Sequence, residues 1–156
     1  MAATSSNLLQ NVYLFKELNA KEIEPIAALA KTESHNPGDV IFSQDDSATS
    51  LYIVKFGSVQ IKHSGKEDSI NVANLGTGAH FGEMAFVDGE KRSATVSVVE
   101  KTDILTIDFQ DLRRVLEANP GTAVKVYKAF ALFLCGRLRV TTTDLSFARE
   151  KNMRHF

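Results

Sequence analysis

One acid and one base, Glu83 and Arg92, stand nine residues apart in the segment FGEMAFVDGEKRSATV, residues 81–96. A carboxylate just after Gly82 can accept hydrogen bonds from sugar hydroxyls, and a guanidinium offers a planar fork of donors to a pair of phosphate oxygens. The pair therefore suits a sugar phosphate. A carboxylate beside a phosphate is repelled unless a neutral donor separates them, and a ribose 2′-hydroxyl donating to Glu83 is such a group. Gly82 permits a close backbone approach, residues 83–87 can make one helical turn whose free amides face an anion, and Ser93 can add a hydroxyl or an amide. The plain alternative is a direct Glu83–Arg92 pair across a structural turn, the usual fate of such neighbours.

The flanking sequence must hold this segment in place. Residues 7–32 carry apolar side chains at helical spacing (Leu14, Leu18, Ile23, Ile26, Leu29), which predicts two short helices broken near Asn19 and Pro25. The period then changes to two. Residues 39–43, 50–55, 59–63, 70–75, 94–99 and 104–107 are short β-branched or aromatic runs, separated by turns such as Pro37-Gly38, Ser64-Gly65-Lys66 and Gly76-Thr77-Gly78. Strands and turns at this interval predict an antiparallel sandwich or barrel over residues 33–108. Asp108 then caps a helix over 108–119, ended by Asn119-Pro120-Gly121.

A longer helix is expected over 121–150. Val124, Tyr127, Ala131, Leu134, Leu138, Thr141, Leu145 and Ala148 alternate steps of three and four, as in a coiled-coil seam, and Val126, Phe130, Phe133 and Val140 form a second stripe. A helix apolar on two sides needs two covers. Either one stripe packs on the barrel and the other on a second copy, giving a homodimer, or one wide stripe is buried within a single subunit.

Composition fits one globular domain over residues 1–156 with 44% hydrophobic residues. The single Cys135, within AFALFLCG, cannot form an internal disulfide and reads as a small buried hydrophobe. No run is apolar enough to span a bilayer and the N-terminus lacks a secretory pattern, so a cytoplasmic protein without membrane attachment is expected. Charge is uneven. Up to residue 108 there are nine basic and fifteen acidic side chains, and beyond it nine and four. The basic residues of the C-terminal part are spread along helical sequence rather than clustered, so direct DNA binding is not expected. His35, His63, His80 and His155 have no metal-ligand spacing, and His80 alone stands near the segment. No dinucleotide fingerprint, phosphate loop, metalloprotease motif or nucleophile–base arrangement occurs, so neither an enzyme nor a resident cofactor is expected.

With strands on both sides, the segment resembles the phosphate-binding cassette of the cyclic nucleotide-binding domain family: Phe-Gly-Glu, a hydrophobic residue, Ala, and later Arg-x-Ala-Thr-Val. Phe81, Gly82, Glu83, Met84, Ala85, Arg92, Ser93, Ala94, Thr95 and Val96 fall in register. The order of helices, strands and closing helices also follows the family, nearest to the sensory domain of catabolite activator type regulators. The resemblance implies a double-stranded β-helix, or jelly-roll barrel, with flanking helices, and a ligand-binding set of Phe81, Gly82, Glu83, Met84, Ala85, Arg92, Ser93 and Ala94. It also implies a C-terminal helix covering a purine, where relatives of the activator type offer two adjacent hydroxyls and this chain has Thr141 and Thr142. These hydroxyls either meet the adenine amino group or bond back to a carbonyl one turn earlier. Lys91 replaces a common proline and Phe86 a common leucine.

The implied function is a sensor for cAMP, possible also for cGMP, with cAMP favoured because relatives selective for cGMP often carry threonine where Ser93 stands. A ligand-free interaction module on the same fold is the alternative of a different class. Only about six residues follow Glu150, so no DNA-reading element is expected. The output then passes to an effector of unknown identity, or to the remainder of a longer regulator.

Overall fold

The computed structural model of the chain describes residues 2–65 and 69–153. Lys66 of one expected turn and His155 lie outside them. Eight strands, β1 (Lys31–His35), β2 (Val40–Phe42), β3 (Ser50–Phe56), β4 (Ser58–Ser64), β5 (Ser69–Gly76), β6 (His80–Phe81), β7 (Thr95–Val98) and β8 (Thr102–Asp108), form the barrel. They make two antiparallel sheets, in the orders β1-β8-β3-β6 and β2-β7-β4-β5. Helices α1 (Ala2–Gln10) and α2 (Ala20–Ala27) precede it, α3 (Met84–Asp88) lies between β6 and β7, and α4 (Phe109–Ala118) and α5 (Pro120–Met153) close the chain. The expected jelly roll with flanking helices is the fold found.

The two sheets meet different surroundings, and this explains their sequences. β3 and β8 are buried on both faces: Leu51, Ile53, Leu105 and Ile107 pack against the helices, while Val54 and Ile104 face the barrel interior with Val59, Phe81, Val96 and Val98. β5 has no second cover, and six of its eight residues are exposed. The helical layer is set by strong caps. Asp108 accepts from the Asp111 amide at 3.0 Å, as the sequence predicts for α4.

Four expectations need correction. β1 takes residues 31–32 from the predicted helical region; its sequence KTESH is polar throughout because it is an edge strand, held by full pairing to β8 and by Ser34 donating to Asp103 at 2.7 Å. α2 runs through Pro25 instead of breaking there. A capping box between Asn19 and Glu22 fixes its first turn, and burial of Ile23, Ile26 and Ala27 fixes the rest. α5 begins at Pro120, a residue suited to the first helical position. Finally, Cys135 is exposed, because burial along α5 stops after Leu134.

Glu22 also ties α2 to α5. Its carboxylate accepts from Lys125 Nζ at 2.7 Å and from Thr122 Oγ1 at 3.2 Å, in addition to the Asn19 amide. The Lys125 bond, then the Asn19 amide, hold the Glu22 carboxyl below its ordinary value of 4.5. A lowered native pKa means the stabilisation is complete above the ordinary value and is lost as pH falls through the native one. Glu22→Gln should therefore be less stable than the parent at neutral pH, with the gap closing in acid. Urea midpoints followed from pH 7 downward check this; a gap independent of pH contradicts it.

Candidate functional site

The cassette is positioned by the first sheet. β6 pairs with β3 through Tyr52–Phe81 and Ile53–His80, and delivers the chain to Gly82 at the mouth of the barrel. Gly82 has φ +79°, and a Cβ there would lie 2.7 Å from Arg92 Nη1. Its lack of a side chain therefore makes room for the guanidinium as well as permitting the turn. α3 supplies the expected helical turn, and Gly89 in the left-handed region ends it. The return loop is anchored at its centre by a reciprocal backbone pair, Arg92 N to Asp46 O and Asp45 N to Arg92 O, both 2.9 Å. His63 Nδ1 lies 2.9 Å from the Ser93 carbonyl, which fixes the next residue.

Arg92 is buried at 5% exposure. Nη1 donates to Gly82 O at 2.8 Å and Nη2 to Ser50 O at 2.7 Å, while Nε–H has no partner among the described residues. Its guanidinium lies 4.1 Å from the Phe42 ring centroid and 5.5 Å from that of Tyr52, an aromatic cradle for a cation. Burial lowers the Arg92 pKa, and Tyr52, Glu83 and Asp46 act against that; a guanidinium stays charged regardless. Burial likewise raises the Tyr52 hydroxyl, with Arg92 opposing it.

Glu83 is equally buried, yet it does not pair with Arg92. The direct acid–base pair is thus absent among the described residues, and the carboxylate has no side-chain hydrogen bond there. Its nearest charged or titratable neighbour is His80, whose Nδ1 lies 3.5 Å from Oε2.

Both groups open into a cavity of about 160 Å³, lined by Phe81, Gly82, Glu83, Met84, Ala85 and Ser93 with Arg92, and roofed by Arg137 of α5. A second cavity, about 610 Å³, lies between β5 (Val72, Ala73) and α5, where Phe133, Arg137, Val140 and Thr141 face it. Arg137 borders both. Of the sequence-derived set, Ala94 is half-buried and lines neither cavity. The two threonines part company: Thr141 lines the larger cavity, whereas Thr142 donates to the Leu138 carbonyl at 2.8 Å, the local bond open to a helical threonine.

Sequence reading missed the cradle of Ser50, Phe42 and Tyr52, which a linear motif cannot reveal, and also Arg137. The latter had a signal. It stands one turn before Thr141 on the same helical face, although the basic residues around it are dispersed along the helix. Among the described residues there is no cluster of His, Cys, Asp or Glu fit to hold a metal ion, and no helix long and apolar enough to cross a membrane.

The sequence profile described as the cyclic nucleotide-binding domain matches residues 32–119, from β1 to the end of α4 and including the whole cassette. The chain is 31% identical over 144 residues to the cyclic AMP receptor protein of Thermus thermophilus, covering 89% of this chain and 64% of that relative. It is 30% identical over 150 residues to cyclic GMP-binding protein C of Dictyostelium discoideum, covering 96% of this chain and 5% of the other. The solved structure of the Thermus thermophilus catabolite activator protein superposes with a TM-score of 0.77 at 29% identity, covering 86% of this chain and 62% of that one. The chain spans less than two thirds of the length of each of these relatives. With the profile covering more than half of its residues, and the acid, base and glycine turn all assembled at one cavity, the chain belongs to the cyclic nucleotide-binding domain family.

Proposed function

We propose that this chain is a sensor that binds a 3′,5′-cyclic nucleotide, cAMP in preference to cGMP, between the cassette and α5, and that it works as a homodimer. One observation carries the reading: Glu83 and Arg92 are both buried at 5% exposure, are not paired with each other, and face one cavity beneath α5. Burying two opposite charges apart is costly, and although two carbonyls hold the Arg92 guanidinium, its Nε–H and the Glu83 carboxylate have no hydrogen-bond partner among the described residues. A cyclic nucleotide engages both, with its ribose 2′-hydroxyl toward Glu83 and its phosphate toward Arg92. The purine then extends to the larger cavity, where Thr141 supplies a hydroxyl near the base. A ligand held by both the barrel and α5 favours the conformation that brings them together, and shifts the population by the difference in its affinity for the two states.

The preference for cAMP rests on Ser93 and Thr141. Thr141→Ala should weaken cAMP more than cGMP, by about 1 kcal/mol if one hydrogen bond to the adenine amino group is lost. Competition binding with both nucleotides measures this, and an equal loss for both places the hydroxyl elsewhere. Dimerisation rests on α5. Val124, Leu138 and Leu145 are 53–68% exposed, and Tyr127 45%, on a helix whose described side chains are all exposed beyond Leu134. A second copy of the same seam covers them, and the signal passes through it to an effector. Thermal melts with cAMP, cGMP and 5′-AMP test ligand class: the cyclic forms should raise the midpoint and 5′-AMP should not. Equal shifts for all three would point to a generic phosphate site.

A further inference from the structure

His80 plays no part in the reading above, yet it is set among its principal groups. Its side chain is 3% exposed, and neither ring nitrogen has a hydrogen-bond partner among the described residues. Buried imidazole nitrogens seldom go without a partner, and leaving them so is costly. The ring is fixed in place by the pairing of His80 with Ile53 and by Phe133 of α5, whose ring centroid is 4.3 Å away at an interplanar angle of 57°. Nδ1 lies 3.5 Å from Glu83 Oε2, close enough for attraction but without hydrogen-bond alignment. The same cavity is lined by His80, Glu83, Arg92 and Arg137.

We infer that His80 is a positioning residue for the sugar: its imidazole orients the Glu83 carboxylate toward the ribose 2′-hydroxyl and links that contact to Phe133 on α5. The inference rests on the cyclic nucleotide reading. An imidazole carrying a proton on Nδ1 donates to Oε2 after a movement of a few tenths of an ångström, within ordinary side-chain motion. With one oxygen engaged, the carboxylate keeps a single orientation and presents the other oxygen to the hydroxyl. Bonds in such a chain polarise one another, so the hydroxyl contact is stronger with the imidazole than without it. On the other side the ring packs on Phe133, so the sugar contact bears directly on the helix that carries the response. A packing role alone would need only an aromatic ring; the orienting role needs the nitrogen.

Affinities of the parent, His80→Phe and His80→Asn for cAMP and 2′-deoxy-cAMP separate these roles. The parent should prefer cAMP by about tenfold or more, the worth of a hydrogen bond to a charged group. His80→Phe keeps the aromatic packing, should lose cAMP affinity by about tenfold, and should bind 2′-deoxy-cAMP nearly as the parent does, so that the preference collapses. His80→Asn, which restores a donor without the ring, should recover part of the preference. A His80→Phe protein that retains the full preference for the 2′-hydroxyl overturns the inference and leaves the ligand reading intact. A parent that binds neither nucleotide overturns both. A parent that binds the two equally overturns the Glu83 and His80 roles together. Nitrogen-15 NMR of the parent needs no variant: the His80 Nδ1 resonance should move on adding cAMP and much less with 2′-deoxy-cAMP, and no movement with either contradicts the inference.

Discussion

Arg92→Ala should lower affinity for cAMP by roughly 2–4 kcal/mol, about 30- to 1,000-fold, because the ligand phosphate would be left in a buried site without its cation. The free protein should suffer as well. Arg92 closes the mouth of the barrel by donating to Ser50 O and Gly82 O and by filling the space between Phe42 and Tyr52. Its removal leaves two carbonyls without those donors, at a cost of about 1–3 kcal/mol for each one that water cannot reach. Arg92→Lys separates the two effects. A lysine keeps the charge but has no planar fork, so it should recover part of the binding and little of the carbonyl bridging. Calorimetric titration and urea denaturation of all three proteins check this, and an Arg92→Ala protein with parental affinity contradicts the assigned role.

The second large effect is on assembly. If the proposed dimer forms through α5, Leu138→Asp should convert it to a monomer, with sedimentation velocity showing a species near 17.2 kDa where the parent shows twice that mass. Leu138 is 66% exposed within the protomer, so the substitution should leave the stability of the isolated subunit within about 0.5 kcal/mol. In the proposed dimer the carboxylate would enter an apolar seam alongside Tyr127 and Leu145, where a charge without a partner is strongly disfavoured. α5 extends past Leu134 for about 28 Å on helical geometry alone, and Leu138 and Leu145 stand two turns apart on one face of it. A parent protein that sediments as a monomer at high concentration would remove the seam as an interface.

What could be read from sequence follows physical lines. The cassette was legible because its glycine, acid, base and strand residues are contiguous, and the barrel because turns recur at near-regular intervals. Of the two threonines, the sequence places only Thr141 on the apolar seam, and the direction each takes from α5 separates them further: Thr141 faces a cavity, and Thr142 reaches the Leu138 carbonyl. β1 was hidden by its polarity, since an edge strand paired on one side needs no apolar alternation. The cradle around Arg92 was hidden for another reason. Phe42, Ser50 and Tyr52 lie 40 or more residues before it and meet it only through the fold. The two stripes of α5 were visible, but not the point at which burial ends, because that depends on where the barrel stops.

The role of His80 ties these observations together. It stands between Glu83, the group proposed to read the sugar, and Phe133 of α5, so one side chain touches both the proposed ligand contact and the long helix. Phe86 extends the same contact, stacking with Phe130 and Tyr127 of α5 at centroid distances of 5.6 and 6.1 Å. In the proposed mechanism, a ligand that shifts the cassette bears on α5 at these two contacts, and α5 carries the exposed seam.

Isothermal titration calorimetry of the parent chain with cAMP, cGMP and 5′-AMP tests the central claim most directly. The account predicts saturable binding of cAMP in the micromolar range or better, about −8 kcal/mol or more, with weaker binding of cGMP and none of 5′-AMP. No heat and no stabilisation with either cyclic nucleotide at millimolar concentration would contradict it.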